Sequence, residues 1–189
     1  MKKVLLFVAV MFMGITASQA QFKLGFGAGY AVPMGDIADF TNGGVSAHLE
    51  LGYGINEKID VSFLYTGDFL AGGDFSMAAG GSEVSGSYGG VAIGSYLLNG
   101  RYFFTEEGFR PYASLGLGLS TIGAVEVEGD TGSGSASAST SNFSFRPALG
   151  FKYGVLNVNA AYLNAGKSGE ASISDLSFNI GLLFTIGGN

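Results

Sequence analysis

The last long segment of the chain alternates large apolar residues with small or polar ones. From Leu176 to Ile186 the large residues occupy every second position: Leu176, Phe178, Ile180, Leu182, Phe184 and Ile186. A period of two indicates a β-strand, and the length matches a tilted strand crossing a bilayer, about 9–11 residues. Because unpaired backbone N–H and C=O groups are costly in hydrocarbon, such a strand must belong to a closed barrel.

The same alternation recurs upstream and predicts eight strands, at about 22–32, 45–55, 58–66, 91–104, 110–119, 143–153, 157–162 and 176–186. The connections alternate between long (33–44, 68–90, 123–142 and 165–175) and short (56–57, 105–109 and 154–155). Short turns at one rim and long loops at the other are typical of outer-membrane barrels, whose short turns are periplasmic. The sequence therefore predicts an all-β protein, a transmembrane eight-stranded antiparallel up-and-down β-barrel.

The N-terminus has the pattern of a secretory signal peptide. Two lysines precede an apolar run from Val4 to Met13, and Ser18-Gln19-Ala20 offers small residues where a signal peptidase cleaves. We predict a signal peptide at 1–20, cleaved near Ala20, and one barrel domain at 21–189. The chain has no Cys, which excludes disulfides, thiolate metal sites and a lipid anchor at the cleavage site.

Charge decides which strand faces point inward. An Arg facing lipid near the bilayer midplane costs roughly 2–4 kcal/mol, so Arg101 is predicted to point into the lumen. The same reasoning predicts a lumen charge network of Lys23, Glu50, Asp60, Arg101, Arg110, Arg146 and Lys152. Buried opposite charges must pair, and an eight-stranded barrel is too narrow for an open aqueous channel. A salt-bridged plug is favoured, and the alternative is a gate or narrow, low-conductance pore.

Aromatic residues gather near the ends of the outward faces, as interfacial girdles do. The predicted girdle comprises Phe22, Tyr30, Tyr53, Tyr65, Tyr102, Phe143, Tyr153, Tyr162 and Phe184.

Two other groups of polar residues have the composition of a functional site. Ser46, His48 and Glu50 share one strand face and contain the parts of an acyl-transfer site, but same-face neighbours are about 6.5–7 Å apart, too far for direct hydrogen bonds. We expect no catalytic activity, no cofactor and no metal site. The predicted outer loops are acidic and could bind divalent cations, although a solvated rim is the favoured interpretation: Asp36, Asp39, Asp68, Asp74, Glu83, Glu126, Glu128 and Asp130, with Lys167 the only base.

Asn99-Gly-Arg-Tyr-Phe-Phe104 before a short turn, followed by Arg110-Pro-Tyr-Ala-Ser-Leu-Gly-Leu-Gly118, resembles the OmpA/OmpX-type family of small outer-membrane β-barrels. The resemblance covers the whole mature chain, without the peptidoglycan-binding domain of many OmpA proteins. It implies a bacterial outer-membrane location, a monomer, contact with membrane lipid and lipopolysaccharide, and insertion by the barrel-assembly machinery. Lipid A deacylases among such barrels use a membrane-facing His-x-Ser pair that this sequence lacks.

Seven basic residues against 15 acidic ones in the mature chain exclude nucleic acid as a partner.

Overall fold

The computed structural model describes residues 21–79, 82–87, 89–125 and 136–187. The predicted signal peptide lies outside the described residues. In the described part of the chain, no helix is long and apolar enough to cross a membrane.

Eight strands close into a barrel, and a separate two-stranded hairpin extends one connection. The barrel strands are β1 (Gln21–Met34), β2 (Thr41–Gly54), β3 (Ile59–Gly72), β6 (Gly90–Phe103), β7 (Phe109–Val125), β8 (Ala136–Tyr153), β9 (Leu156–Ser168) and β10 (Ala171–Ile186). The hairpin pairs β4 (Asp74–Ala79) with β5 (Ser82–Ser87). All barrel pairs are antiparallel and β1 pairs with β10, which closes the sheet. The predicted barrel is therefore confirmed.

The alternation in the sequence becomes an inward and an outward face. On β6, Asn99 and Arg101 are buried inside the barrel, whereas Leu98 and Tyr102 are exposed on its outer surface. The register predicted for this strand from the cost of an outward Arg is therefore correct. On β10, Leu183 is a large apolar residue that points inward, so the lumen face is not uniformly polar.

The long connections contain more regular structure than predicted. Within the described residues, the loops predicted at 68–90, 123–142 and 165–175 are largely strand. Strands β3, β7, β8, β9 and β10 continue beyond their apolar segments, and β4 and β5 occupy most of 68–90. The loop predicted at 33–44 contains a 3-10 helix, Gly35–Asp39, and the start of β2. Small Ser, Gly and Ala residues gave no alternation there, yet ladder hydrogen bonds need only the backbone. Residues 126–135, the central part of the long connection predicted at 123–142, lie outside the described residues.

Candidate functional site in the barrel lumen

A network of charged side chains fills the lumen toward its short-turn end. Arg101 Nη2 donates to Glu50 Oε2 at 2.7 Å, and Arg101 Nη1 lies 3.7 Å from Asp60 Oδ2. Lys23 Nζ lies 3.5 Å from Asp60 Oδ1, and Ser62 Oγ donates to Glu50 at 2.6 Å. All five side chains are buried. Four of the seven predicted network residues are therefore joined in one chain of contacts across β1, β2, β3 and β6.

The register and one glycine explain this arrangement. Asp60 on β3 lies directly opposite Arg101 on β6, so pairing of these strands brings the two charges together. The Arg101 guanidinium carbon also lies 4.8 Å from the ring centroid of Tyr112, whose hydroxyl donates to Asn157 at 2.9 Å. A Cβ at Gly150 would lie 2.7 Å from the Tyr112 ring. Glycine at this position therefore leaves the space that the tyrosine occupies.

Arg110 was predicted to belong to the lumen charge network, but it does not join the network. It is only half-buried and lies at the short-turn mouth of the barrel. Its guanidinium donates to the backbone carbonyls of Thr105 and Glu57 and lies 3.9 Å from the ring centroid of Phe103. Arg110 is the second residue of β7, and its hydrogen bonds connect two short turns instead of joining the ion pairs inside the lumen.

The other two predicted network residues point inward without forming contact ion pairs in the described structure. Lys152 Nζ donates to the Thr185 hydroxyl at 3.2 Å. Arg146 is buried farther from the short turns and interacts electrostatically with Asp68 and Asp175. The lumen charges thus form two groups, one around Arg101 and one around Arg146.

Asp68 and Asp175 correct the sequence analysis, which placed both in outer loops. Each lies on an inward strand face, and Asp175 is 0% exposed. Both Asp175 carboxylate oxygens and one Asp68 oxygen have no hydrogen-bond partner. Their strands continue past the apolar segments, so positions read as solvent-exposed loop are enclosed by the barrel wall. Asp68 lies two residues after the inward-facing Thr66, and this spacing could have predicted that its side chain points into the lumen.

A layer of apolar side chains, which we call the apolar cap, closes the end of the lumen next to the long connections. It lies beyond Asp68 and Asp175 as seen from the short turns. It draws on six strands and the 3-10 helix, and its members are Ala31, Ile37, Leu70, Ile93, Ile122, Leu163, Ala165 and Ile173. All eight are 5% exposed or less. A buried apolar layer opposes the passage of hydrated ions because it offers no polar group to replace their hydration shell.

The 3-10 helix is held over the barrel mouth by hydrogen bonds. Asp36 Oδ2 accepts the backbone N–H of Ser172 at 2.8 Å, which joins the helix to the start of β10. The Thr41 hydroxyl donates to the Ile37 carbonyl at 2.9 Å. These contacts fix the backbone on both sides of Ile37, so that its side chain is directed into the cap. Sequence analysis missed the cap entirely.

Between the two charged groups lies a cavity of about 10 Å³. Its lining includes His48, Asn99, Arg101, Tyr112 and Arg146. A space of this size holds about one water molecule. The lumen is therefore closed at three successive levels: the cap, the side chains around this cavity and the Arg101 network.

His48 lies in this closed interior and is 8% exposed. In the described structure no hydrogen bond joins it to Ser46 or Glu50, and its Nδ1 has no partner. Glu50 is instead occupied by Arg101 and Ser62. The three residues are not arranged as a nucleophile, base and orienter, which require direct hydrogen bonds.

The residues predicted as an aromatic girdle all lie on the outer surface of the barrel. Those that are clearly exposed are Phe22, Tyr30, Tyr65, Tyr102, Phe143 and Tyr153, whereas Tyr53, Tyr162 and Phe184 are half-buried between neighbours. Tyr65 stacks on Tyr96 of the adjacent strand with ring centroids 5.0 Å apart. Tyr96 extends the same outward aromatic group, although it was not included in the prediction.

Among the described residues, the acidic rim is smaller than predicted, because Asp68 lies inside the barrel. Asp36 and Asp39 are exposed near the cap, together with Glu170 and the base Lys167. The side chains of Asp74 and Glu83 and all of residues 126–130 lie outside the described structure. Among the described residues, no group of three or more His, Asp or Glu side chains is placed to hold a metal ion.

Comparison with solved structures identifies the architecture. The crystal structure of neisserial surface protein A aligns with a TM-score of 0.64 at 19% identity, covering 89% of this chain and 100% of that one. Ail of Yersinia pestis, crystallised with the heparin analogue sucrose octasulfate, aligns with a TM-score of 0.51 at 12% identity, covering 88% and 100%. No protein-family model and no curated protein sequence matches the chain.

Proposed function

Because this chain has the fold of the small eight-stranded outer-membrane β-barrels, we propose that it is a closed, non-conducting barrel that presents interaction surfaces outside the cell. The observation that carries the proposal is the closure of the lumen by the apolar cap and the Arg101 network. In the orientation typical of outer-membrane barrels, the short turns are periplasmic, which places the cap on the extracellular side. The barrel then acts as a rigid support, and its function lies in what it displays.

The length of the strands supports a display role. Strands β7 and β8 contain 17 and 18 residues, whereas about 9–11 residues suffice to span the membrane at this tilt. The excess lies at the extracellular end, where β3 and β6 also lead into the β4–β5 hairpin. These extensions carry paired strands beyond the bilayer, so that a partner that binds to them meets backbone already ordered in the sheet.

The charge of the exposed rim limits the partners. Among the rim residues that the structure describes, Asp36, Asp39 and Glu170 outnumber Lys167. This surface favours cationic groups or divalent cations that bridge to lipopolysaccharide phosphates. A polyanionic ligand such as a sulfated sugar or a nucleic acid would be repelled. Within the membrane the partners are lipid and lipopolysaccharide, and insertion depends on the barrel-assembly machinery. We therefore propose neither an enzymatic activity nor a cofactor.

Conductance tests the proposal. We expect the mature protein, refolded in a planar bilayer, to give no reproducible current steps, because both the cap and the charge network obstruct the axis. A heated, unfolded sample serves as the control, and folding is checked by the heat-dependent gel mobility of the same preparation. Reproducible steps that disappear in the unfolded control would establish the narrow pore instead, with Arg101 and Arg146 as the residues to exchange.

A further inference from the structure

The outer wall of the barrel contains one trough that the closed-barrel role does not use. It has a volume of about 380 Å³ and lies over β9, between β8 and β10. Clefts that bind small apolar molecules have volumes of roughly 300–1,000 Å³. The trough is thus large enough for a bound molecule, and its position on the outer wall determines which molecules can reach it.

The trough follows from side-chain size and register. Ala160 is aligned with Leu149 on one side and Phe178 on the other, and Val158 is aligned with Phe151 and Ile180. The floor therefore consists of small side chains and the walls of large ones. Leu149, Phe178 and Ile180 are 66%, 54% and 61% exposed, so the walls project outward from the barrel.

The position of the trough indicates the leaflet that it contacts. Strand β9 begins at Leu156, directly after a short turn, and Val158 and Ala160 are its third and fifth residues. At about 3.3 Å per residue along a strand, reduced by the tilt of about 45°, both lie in the periplasmic half of the membrane. Toward the extracellular side, Tyr162 follows Ala160 on the same face and packs against Phe145, with ring centroids 6.3 Å apart.

We propose that this trough binds one acyl chain of a periplasmic-leaflet phospholipid. The chain enters from the short-turn end, lies over Val158 and Ala160, and ends against Tyr162. The trough is continuous with the apolar, lipid-facing surface, so hydrocarbon is the medium that reaches it. A second barrel is a poorer occupant, because the trough is only two residue rows long, whereas a stable interface buries about 800 Å² per partner.

Photo-cross-linking tests this proposal. The protein is reconstituted in vesicles containing a phospholipid with a diazirine near the acyl-chain end, and cross-linked peptides are identified by mass spectrometry. We expect labelling to be concentrated on the β9 segment 156–162. In Ala160→Phe the new ring fills the floor, and labelling of this segment should fall to the average of the other outward strand faces. Ala160→Leu is a milder second variant.

Ala47→Phe is the control, because Ala47 is also a small outward residue and its aligned neighbours, Ala28 and Gly67, do not line the trough. It should leave labelling of β9 unchanged. Three results would overturn the proposal: even labelling around the barrel, preferential labelling of β9 by lipid A carrying the same diazirine, or protein–protein cross-links through β9. Each variant is first shown to fold by its heat-dependent gel mobility.

Discussion

Arg101→Met should cause the largest loss of stability of any single substitution in the lumen. It leaves Glu50 without its 2.7 Å cationic partner and removes one of the two cations that lie within 4 Å of Asp60 in the described structure. Breaking a buried ion pair by removing one partner costs about 3–5 kcal/mol, because the remaining charge stays desolvated. The free energy of unfolding in urea, measured in lipid vesicles, should fall by this amount. Tyrosine fluorescence can follow the transition, since the chain contains no Trp.

Two further variants separate this effect from a general loss of packing. Arg101→Met combined with Glu50→Gln should recover part of the lost stability, because the unpaired carboxylate is gone while Lys23 still neutralises Asp60. Lys58→Met removes an exposed ion pair to Glu106 and should have little effect, even though the hydrogen bond to Glu106 raises the pKa of Lys58. If Arg101→Met and Lys58→Met had equal effects, the lumen network would not stabilise the fold.

Ile37→Asp should detach the apolar cap from the barrel mouth. The substitution places a charge among apolar side chains and removes a buried isoleucine, whose truncation alone costs about 2–5 kcal/mol. The Ser172 amide, which donates to Asp36 beside this residue, should then exchange its hydrogen at least roughly thirtyfold faster, since each 1.36 kcal/mol corresponds to a factor of ten. Hydrogen exchange followed by mass spectrometry of the 171–176 peptide measures the change.

Ile55→Asp is the control for this substitution. Ile55 is 57% exposed at a short turn of the opposite rim, so the same chemical change there removes little buried surface. Its variant should leave exchange of the 171–176 peptide unchanged. An Ile37→Asp protein with unaltered exchange at Ser172 would show that the cap does not hold the 3-10 helix in place.

The membrane-spanning part of the barrel could be predicted from sequence because two constraints act on it together. Lipid requires large apolar residues on one face, and the narrow lumen requires small or paired polar residues on the other. The register of β6 followed from the cost of Arg101 in lipid alone. Closure between β1 and β10 followed from the impossibility of a free sheet edge in hydrocarbon.

Beyond the membrane these constraints disappear, and the predictions failed there. Strand β8 begins at Ala136 within a Ser/Ala-rich segment that has no alternating large apolar residues. Asp68 and Asp175 were therefore assigned to loops, although their strands continue and enclose them. The sequence did carry a signal for the cap: Leu70, Ile93 and Ile173 are apolar residues at inward positions, where most other inward residues of the same strands are polar.

Within the lumen, the alternation of positions along each strand predicted which side chains point inward, but not which of them lie close together. Arg101, Arg146 and Lys152 all point inward, yet only Arg101 forms contact ion pairs, because Asp60 lies opposite it in the register. Which cation meets which carboxylate depends on the stagger of strands around the closed barrel, a property of the assembled sheet. For the same reason Arg110, at the beginning of its strand, contacts turn carbonyls instead of a lumen acid.

The most direct test of the closed lumen compares two neighbouring residues of β10 in the folded, membrane-inserted protein. Ser177 points inward and is 1% exposed, whereas Phe178 points outward and is 54% exposed. Since the chain has no Cys, Ser177→Cys and Phe178→Cys each introduce a single thiol. We predict that a charged, water-soluble thiol reagent labels neither and that a lipid-soluble reagent labels only Phe178→Cys. Rapid labelling of Ser177→Cys by the water-soluble reagent would show an open aqueous lumen and contradict the proposed function.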